Sequence, residues 1–331
     1  MSKKSPAVKD KPLISFVLLA YNQEEFIRES VKSALDQTYE PLEIILSDDC
    51  STDKTFEIMT KLAKEYCGPH RVKMNRNCKN VGIGSHINAL MELAEGEVIV
   101  AAGGDDISSP HRAQEIAHEI YQNDQKAYSV WSSATYIDAD GQALDRDFPT
   151  PVQPITDTIM IRNTHPVIGA THAWSKEVFD VFGPLLPSVV FEDNAISFRS
   201  YLLGDVLFID KKLVSYRRHG NNVTNFLSTK DHSALYERGA SRLKGAIVSV
   251  RQRKIDLDRA TVNGLIEKKR ADKMYKELDK LNKKLSYRYE VFSTFPNISF
   301  KIIYGSIFDI SIMKFILRSL AFVLAGRGSA E

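Results

Sequence analysis

Three short apolar runs, each closed by a polar cluster, constrain this chain more than any other feature of its sequence. Residues 13–19 run into Tyr21-Asn22, residues 42–46 into Ser47-Asp48-Asp49, and residues 97–102 into Gly103-Gly104-Asp105-Asp106. Runs of this length with almost no polar interruption fit strands buried on both faces. Segments of helical spacing separate them. Phe26, Ile27, Val31, Ala34 and Leu35 mark the first; a second spans 52–66, with Asp53 near its start, where a carboxylate suits the helix dipole; a third spans 83–94. Residues 72–74 fit a further short strand. This alternation implies a parallel sheet covered by helices. Ligands of such sheets bind outside the carboxyl ends of the strands, where the three polar clusters would converge. Asp and Asn also cap helices, a role that explains one cluster more readily than three.

Beyond residue 110 the alternation loosens. Residues 128–131 and 134–137 look extended, 138–141 reads as a turn, and 145–166, containing Pro and Thr, as a long loop. A helix is expected over 176–182 and another from Phe191-Glu192-Asp193-Asn194 to about 203, followed by strands at 206–209 and 213–216. From 233 to 292 the chain reads as helical and basic. Residues 231–331 carry 20 Lys and Arg against 11 Asp and Glu, while residues 1–230 carry 24 against 31. The chain is therefore an acidic body with a basic C-terminal region and a boundary near 230. An acidic body is a poor nucleic-acid binder, because that affinity rests on neutralising phosphates.

Met274, Leu278, Leu281, Leu285 and Tyr289 form one apolar stripe, suited to packing on the body or on a second copy. Residues 298–325 are apolar but broken by Lys301, Asp309, Lys314 and Arg318, which disfavours a span of about 20 residues. Such a segment can lie in a membrane surface or pack on the body. The first 12 residues hold four lysines with no apolar core behind them and read, over 1–11, as a flexible arm rather than a signal peptide. Cys50, Cys67 and Cys78 form no CxxC pair, so reduced thiols in a cytoplasmic protein are expected.

Asp105-Asp106 at a strand end makes a natural site for magnesium or manganese, which favour oxygen ligands and take one or two carboxylates together with substrate phosphates. Asp49 could accept from a nucleobase N–H and Tyr21 could stack on its ring. A dinucleotide site is less well supported: the first strand ends in Ala20-Tyr21-Asn22-Gln23, without a glycine fingerprint.

Several motifs, in order, resemble the family-two glycosyltransferases of GT-A fold. They are residues 12–22, Gln37 to Ile44, Ser47-Asp48-Asp49-Cys50-Ser51-Thr52-Asp53, Asn80-Val81-Gly82, Asn88 through Glu97, Asp105-Asp106 with Pro110, Glu192-Asp193 with Arg199, and Tyr216-Arg217-Arg218-His219-Gly220-Asn221. The likeness covers about residues 12–225. It implies a Rossmann-like mixed sheet flanked by helices over 12–230, with the helical region 231–331 supplying acceptor, membrane-surface or oligomer contacts. It also implies inverting transfer of a sugar from a nucleotide-diphosphate donor to a hydroxyl of a glycan or lipid-linked acceptor, in the manner of bacterial polysaccharide synthesis.

By resemblance, Tyr21 and Asp49 hold the nucleobase with Ala20, Asn22 and Asn80 beside them. Asp105, Asp106 and His219 form the divalent-cation site, and Asp193 is the catalytic base. Glu192, His172, Trp174 and Arg218 fall near donor or acceptor. Plainer roles stand beside these: Glu192 and Asp193 at a helix start also suit the helix dipole, His219 lies in a polar turn, and His172 and Trp174 flank a strand and can be core. Two positions depart from the family pattern. Gly103 stands where an aspartate is common, and Ile87 where an arginine is. Two other readings remain, a catalytically silent nucleotide-binding or scaffold protein and a nucleotidyltransferase. The latter would need a Gly-rich basic loop after the first strand, and Tyr21-Asn22-Gln23-Glu24 is not one.

Overall fold

The apolar runs become neighbouring strands because helices cover both of their faces. The computed structural model describes residues 11–122, 127–164, 167–219 and 232–294. In it β1 (Ile14–Ala20), β2 (Leu42–Asp48), β3 (Arg71–Arg76) and β4 (Val98–Gly103) lie parallel in the order β3-β2-β1-β4. Three helices connect them, α1 (Ile27–Leu35), α2 (Thr55–Glu65) and α3 (Gly82–Leu93). After β5 (Ile107–Ser108) and α4 (Arg112–Gln122) come β6 (Ala127–Ile137), α5 (Asp157–Arg162), β7 (His172–Ser175), α6 (Glu177–Phe182), α7 (Glu192–Leu203) and β8 (Asp205–Arg217). These strands extend the sheet as β4-β7-β6-β8-β5, with β7 antiparallel to both β4 and β6. The expected mixed, helix-flanked sheet is present, and so is the helical C-terminal region, as α8 (His232–Val262) and α9 (Lys268–Thr294).

Side chains alternate across the sheet. Phe16, Leu18, Ile44, Leu46 and Val100 pack with α1, α2 and α4, while Val17, Ile45, Ile99 and Ala101 pack with the layer that includes α3, α6, α7 and α8. Glu43 and Asp48 are the two buried carboxylates of β2, and Glu43 sits within the run of apolar residues. Its buried carboxylate accepts from Ser15 Oγ at 2.5 Å and the Glu95 N–H at 2.6 Å, and pairs with Arg71 at 2.8 Å and Lys73 at 2.9 Å. Those partners overcome the cost of burial and hold its pKa down at about 2.

Several expectations for the middle of the chain change. The loop expected over 145–166 contains α5, started by Thr156, whose Oγ1 accepts from the Ile159 N–H. The pairs of short strands expected over 128–137 and 206–216 are the single strands β6 and β8. Register shifts near Ser132–Ala134 carry the ladder past the polar interruptions.

The stripe on α9 packs inward. Met274 and Leu278 are fully buried in the core beside α7 and α8, and Leu281 and Leu285 flank them. Each such buried side chain contributes about 1.5–3 kcal/mol. Polar ties fix the hairpin further: Arg270 forks onto Asp157 at 2.7 Å, Arg253 donates to the carbonyls of Met160 and Ile161, and Gln252 accepts from the Leu186 N–H. The boundary expected near 230, residues 1–10 of the arm expected over 1–11, and the apolar segment 298–325 lie outside the described residues. Among the described residues no helix is long and apolar enough to cross a membrane.

Candidate active site

Register brings the polar clusters together. Ala20 pairs with Asp48, and Leu19 pairs with both Ser47 and Gly103, so Tyr21-Asn22, Asp49 and Asp105-Asp106 leave the same edge of the sheet side by side. Beyond that edge lies a cleft of about 1010 Å³. It is lined by Leu19, Ala101, Ala102 and Gly103 from the strands and by Asp105 and Asp106. Glu192 and Asp193 at the start of α7 line it as well, as do His172, Trp174 and part of α8.

The first two strand ends are knitted to each other. The Asp49 N–H donates to the Ala20 carbonyl at 2.9 Å, the Asn22 N–H to Ser51 Oγ at 2.9 Å, and the Thr52 N–H to Asn22 Oδ1 at 2.8 Å. Tyr21 is 45% exposed, which leaves its ring face open. Asp49, read from sequence as a nucleobase acceptor, is buried and already engaged. Oδ1 accepts from Asn77 Nδ2 at 2.8 Å and the Val81 N–H at 3.0 Å, and Oδ2 from the Gly82 N–H at 3.0 Å. It shapes the turn that carries Asn80, whose own Oδ1 accepts from Gly82 N at 3.1 Å. Tyr21, Asn22, Asp49 and Asn80 thus form a group beside the cleft and are not among the residues lining it.

The two aspartates after β4 have different surroundings. Asp105 faces His219, with Oδ2 at 3.0 Å from Nε2. Asp106 is buried, and its Oδ1 accepts from the Arg217 N–H at 2.8 Å. Burial and the adjacent Asp105 charge push its pKa well up, against the pull of that N–H and of Arg112 and Arg217. Arg217 is buried as the hub of this loop. Its Nε donates to the Asp105 carbonyl at 2.9 Å, its Nη1 to the Ala139 carbonyl at 2.8 Å, and its Nη2 meets Glu29 at 2.5 Å. Arg218 is half-buried nearby, its N–H on the Ile137 carbonyl, and does not line the cleft.

A divalent cation has a fitting but sparse protein donor set here. Among the described residues no three His, Cys, Asp or Glu side chains converge on one point. Asp105 and His219 offer two adjacent donors, and Asp106 Oδ1 is committed to Arg217. That suits magnesium or manganese, which keep water and take substrate phosphates alongside one or two protein groups.

Glu192 and Asp193 form a second carboxylate pair on the cleft. Asp193 accepts from the Asn194 N–H at 2.7 Å and from the Gly169 N–H. Glu192 Oε1 leans over Gly169 and stands 2.5 Å from where a Cβ would be, so a side chain there would displace the Glu192 carboxyl. Surrounding protein raises the pKa of Asp193 to about 6 against its hydrogen bonds, and that of Glu192 to about 8 through burial and then the Asp193 charge. Such a pair gives up its protons in two separated steps. At neutral pH the pair holds one charge. His172 and Trp174 lie deeper and are fully buried as the inner wall. His172 Nε2 bonds Ser129 Oγ, and its ring lies 5.4 Å from that of Trp174.

Sequence reasoning missed the wall supplied by α8, where Arg238, Ser241, Arg242, Lys244, Gly245 and Val248 line the cleft. Their helical spacing is readable in the sequence, but nothing local to α8 tells which face turns inward.

The family model for glycosyl transferase family 2 matches residues 15–182. An uncharacterized glycosyltransferase of Nostoc sp. is 27% identical over 216 residues, covering 63% of this chain and 66% of that protein. A chondroitin synthase of Escherichia coli is 33% identical over 149 residues, covering 45% of this chain and 21% of that protein. The chain therefore spans less than two thirds of the length of either relative. Among solved structures, a mannosyltransferase from Pyrobaculum calidifontis, in complex with GDP-Man and Mn2+, superposes with a TM-score of 0.54 at 13% identity, over 98% of this chain and 89% of that one. At that identity the likeness is one of fold.

Proposed function

Because the chain belongs to glycosyl transferase family 2, we propose that its cleft binds a nucleotide-diphosphate sugar and passes the sugar, with inversion, to a hydroxyl of a glycan or lipid-linked acceptor. The observation that carries this reading is that Asp105 and the Glu192–Asp193 pair line one and the same cleft. Inverting transfer needs those two functions on different sides of the reacting carbon, one at the leaving diphosphate and one at the incoming hydroxyl.

Tyr21 offers its ring to the base, and Asp49 holds the turn at 77–82 in the shape that the nucleoside meets. Asp105 and His219 would hold a divalent cation together with the diphosphate, and that cation when bound would offset the charge on the leaving group. Arg217 keeps Asp105 in position through its main-chain carbonyl. Asp193, charged at neutral pH, accepts the proton of the acceptor hydroxyl as its oxygen attacks. Glu192, protonated at the same pH, leaves the pair with a single charge. A protein of the same fold that carries GDP-Man and Mn2+ supports the donor class, and a relative named for chondroitin synthesis supports a polysaccharide acceptor.

Calorimetric titration with UDP, GDP, dTDP and CDP, each with and without manganese, tests this reading. Metal-dependent binding of one nucleotide, lost in Asp105→Ala, is the expected result. Absence of binding to all four by folded protein would refute it and return the chain to the silent-scaffold reading.

A further inference from the structure

The turn after β1 places one more polar side chain on the cleft. Gln23 lines it together with Gly103, Asp105 and Asp106. Its main chain is anchored on both sides: its N–H donates to Thr55 Oγ1 at 2.7 Å, and its carbonyl accepts from the Phe26 and Ile27 N–H groups at 3.0 and 2.9 Å. Its carboxamide is held as well. Oε1 accepts from the Tyr21 N–H at 3.3 Å and stands 2.3 Å from where a Cβ on Gly104 would be. Ala20 Cβ and Ile27 Cδ1 each lie 3.0 Å from that same point. The end of the Gln23 side chain therefore fills the space that Gly104 leaves, against the residue that directly precedes Asp105.

Holding the oxygen leaves the other half of the amide for a ligand. Gln23 is half-buried, and among the described residues its Nε2 has no protein partner. That nitrogen carries two N–H donors, and N–H groups bind charged oxygens more strongly than neutral ones. Position selects the oxygens. Gln23 follows Tyr21, whose ring is open to a base, by two residues, and its amide packs on the residue before Asp105. In a nucleoside diphosphate the phosphates are the part that lies between the nucleoside and a metal-binding carboxylate. The turn itself, Ala20-Tyr21-Asn22-Gln23, has no glycine fingerprint that would offer main-chain N–H groups to phosphate, so a side-chain donor takes that place.

We propose that Gln23 binds the diphosphate of the donor, its Nε2 donating to a phosphate oxygen beside Asp105, and that Gly104 is the position that sets its carboxamide there. This rests on the transferase reading above and adds to it a phosphate contact made by the protein directly rather than through a cation. An alanine at 104 displaces the amide, because the far end of a flexible side chain is what yields to a new methyl group. A plainer use of Gln23 is to brace the Tyr21 main chain through Oε1. Gln23→Glu separates the two roles, since it keeps an acceptor for the Tyr21 N–H and removes the donor.

The test uses the full chain at saturating manganese and whichever of UDP, GDP, dTDP and CDP it binds, titrated by calorimetry. The matching nucleoside, which has base and ribose but no phosphate, is titrated by ligand-detected NMR. Q23L and Q23E are each expected to weaken diphosphate binding by about 10–100-fold, the range for losing a hydrogen bond to a charged group. Nucleoside binding should stay at the wild-type level in both, which also shows that they are folded. G104A weakens diphosphate binding too, and adds little to Q23L, because the side chain it displaces is then already gone. Wild-type diphosphate affinity in Q23E overturns the proposal and leaves Gln23 as a brace for Tyr21. Equal losses of nucleoside and diphosphate affinity overturn it as well, since the contact would then be to base or ribose. Fully additive losses in Q23L/G104A overturn the part assigned to Gly104. Failure of the wild-type chain to bind any of the four nucleotides would instead refute the transferase reading itself.

Discussion

Arg199 and Asp256 form an ion pair at 3.0 Å with both side chains fully buried, joining α7, which starts at the carboxylate pair, to α8, which walls the cleft. Arg199 also donates to the Gly183 carbonyl at 2.8 Å, and Asp256 accepts from Gln252 at 2.9 Å. Buried pairs are expensive to break and cheap to replace, because removing one partner leaves a charge with neither water nor counter-ion. Asp256→Ala is therefore expected to lower stability by about 3–5 kcal/mol, whereas the double variant Arg199→Met/Asp256→Leu should recover most of that loss. Urea unfolding of the three proteins checks this. Equal losses in the single and double variants would mean that the pair matters through packing rather than charge.

Arg217 positions the loop of Asp105 without being among the residues that line the cleft. Its planar fork spreads over the Asp105 and Ala139 carbonyls and Glu29, and a lysine cannot reproduce that geometry. Arg217→Lys should raise the manganese concentration needed for half-maximal activity by about 10–100-fold, the usual cost of losing a group that orients a ligand. Nucleotide affinity in the absence of metal should hold, and the two titrations together separate this from general unfolding.

Asp49 gives a contrasting expectation. Its carboxylate takes three N–H donors from the 77–82 turn, and hydrogen bonds to a charged acceptor contribute about 1.5–3 kcal/mol each. Asp49→Asn keeps the shape but loses the charge, so stability should fall by about 1–2 kcal/mol and nucleotide affinity by about tenfold. A normal denaturation midpoint with weakened nucleotide binding would instead assign Asp49 a direct contact with the base.

These particulars mark how far the sequence could be read. β1, β2 and β4 were legible because helices cover both faces and leave no polar alternation to blur the runs. The strand-end clusters converge because the parallel register follows from the same alternation. What escaped depends on distant partners. Arg217 and Arg218 look alike in sequence, and Glu29, 188 residues away, is among the partners that bury the first. Asp49 turns from a free acceptor into a turn-holder only once α3 starts beside it. β5 has two residues and α5 six, too few for any periodicity to register. The inward face of α8 is set by Gly245 against Val190 and by the Arg199–Asp256 pair, both of them tertiary contacts.

The pair at the start of α7 predicts a pH profile whose two steps can be separated by mutation. Asp193, raised to about 6 mainly by burial, must lose its proton to act as base, so kcat should climb as pH rises through about 6. Asp193→Asn should lower kcat by about 10²–10⁴-fold while nucleotide binding survives. Glu192, raised to about 8, is neutral at pH 6 and so has little charge with which to move the first step. Glu192→Gln should accordingly leave the rise near 6 in place. Its effect belongs to stability. A carboxyl that is harder to ionise in the fold than in the unfolded chain takes up a proton on folding, so its contribution is complete below the unfolded pKa of about 4.5 and is lost as pH rises through about 8. Thermal melts of wild type and Glu192→Gln should agree most closely near pH 4. They should diverge in favour of the glutamine variant as pH approaches 8, then run parallel above it. A wild-type chain whose melting temperature holds level against the variant from pH 5 to pH 9 would show Glu192 ionised in the fold, and the single-charge description of the pair would fall with it.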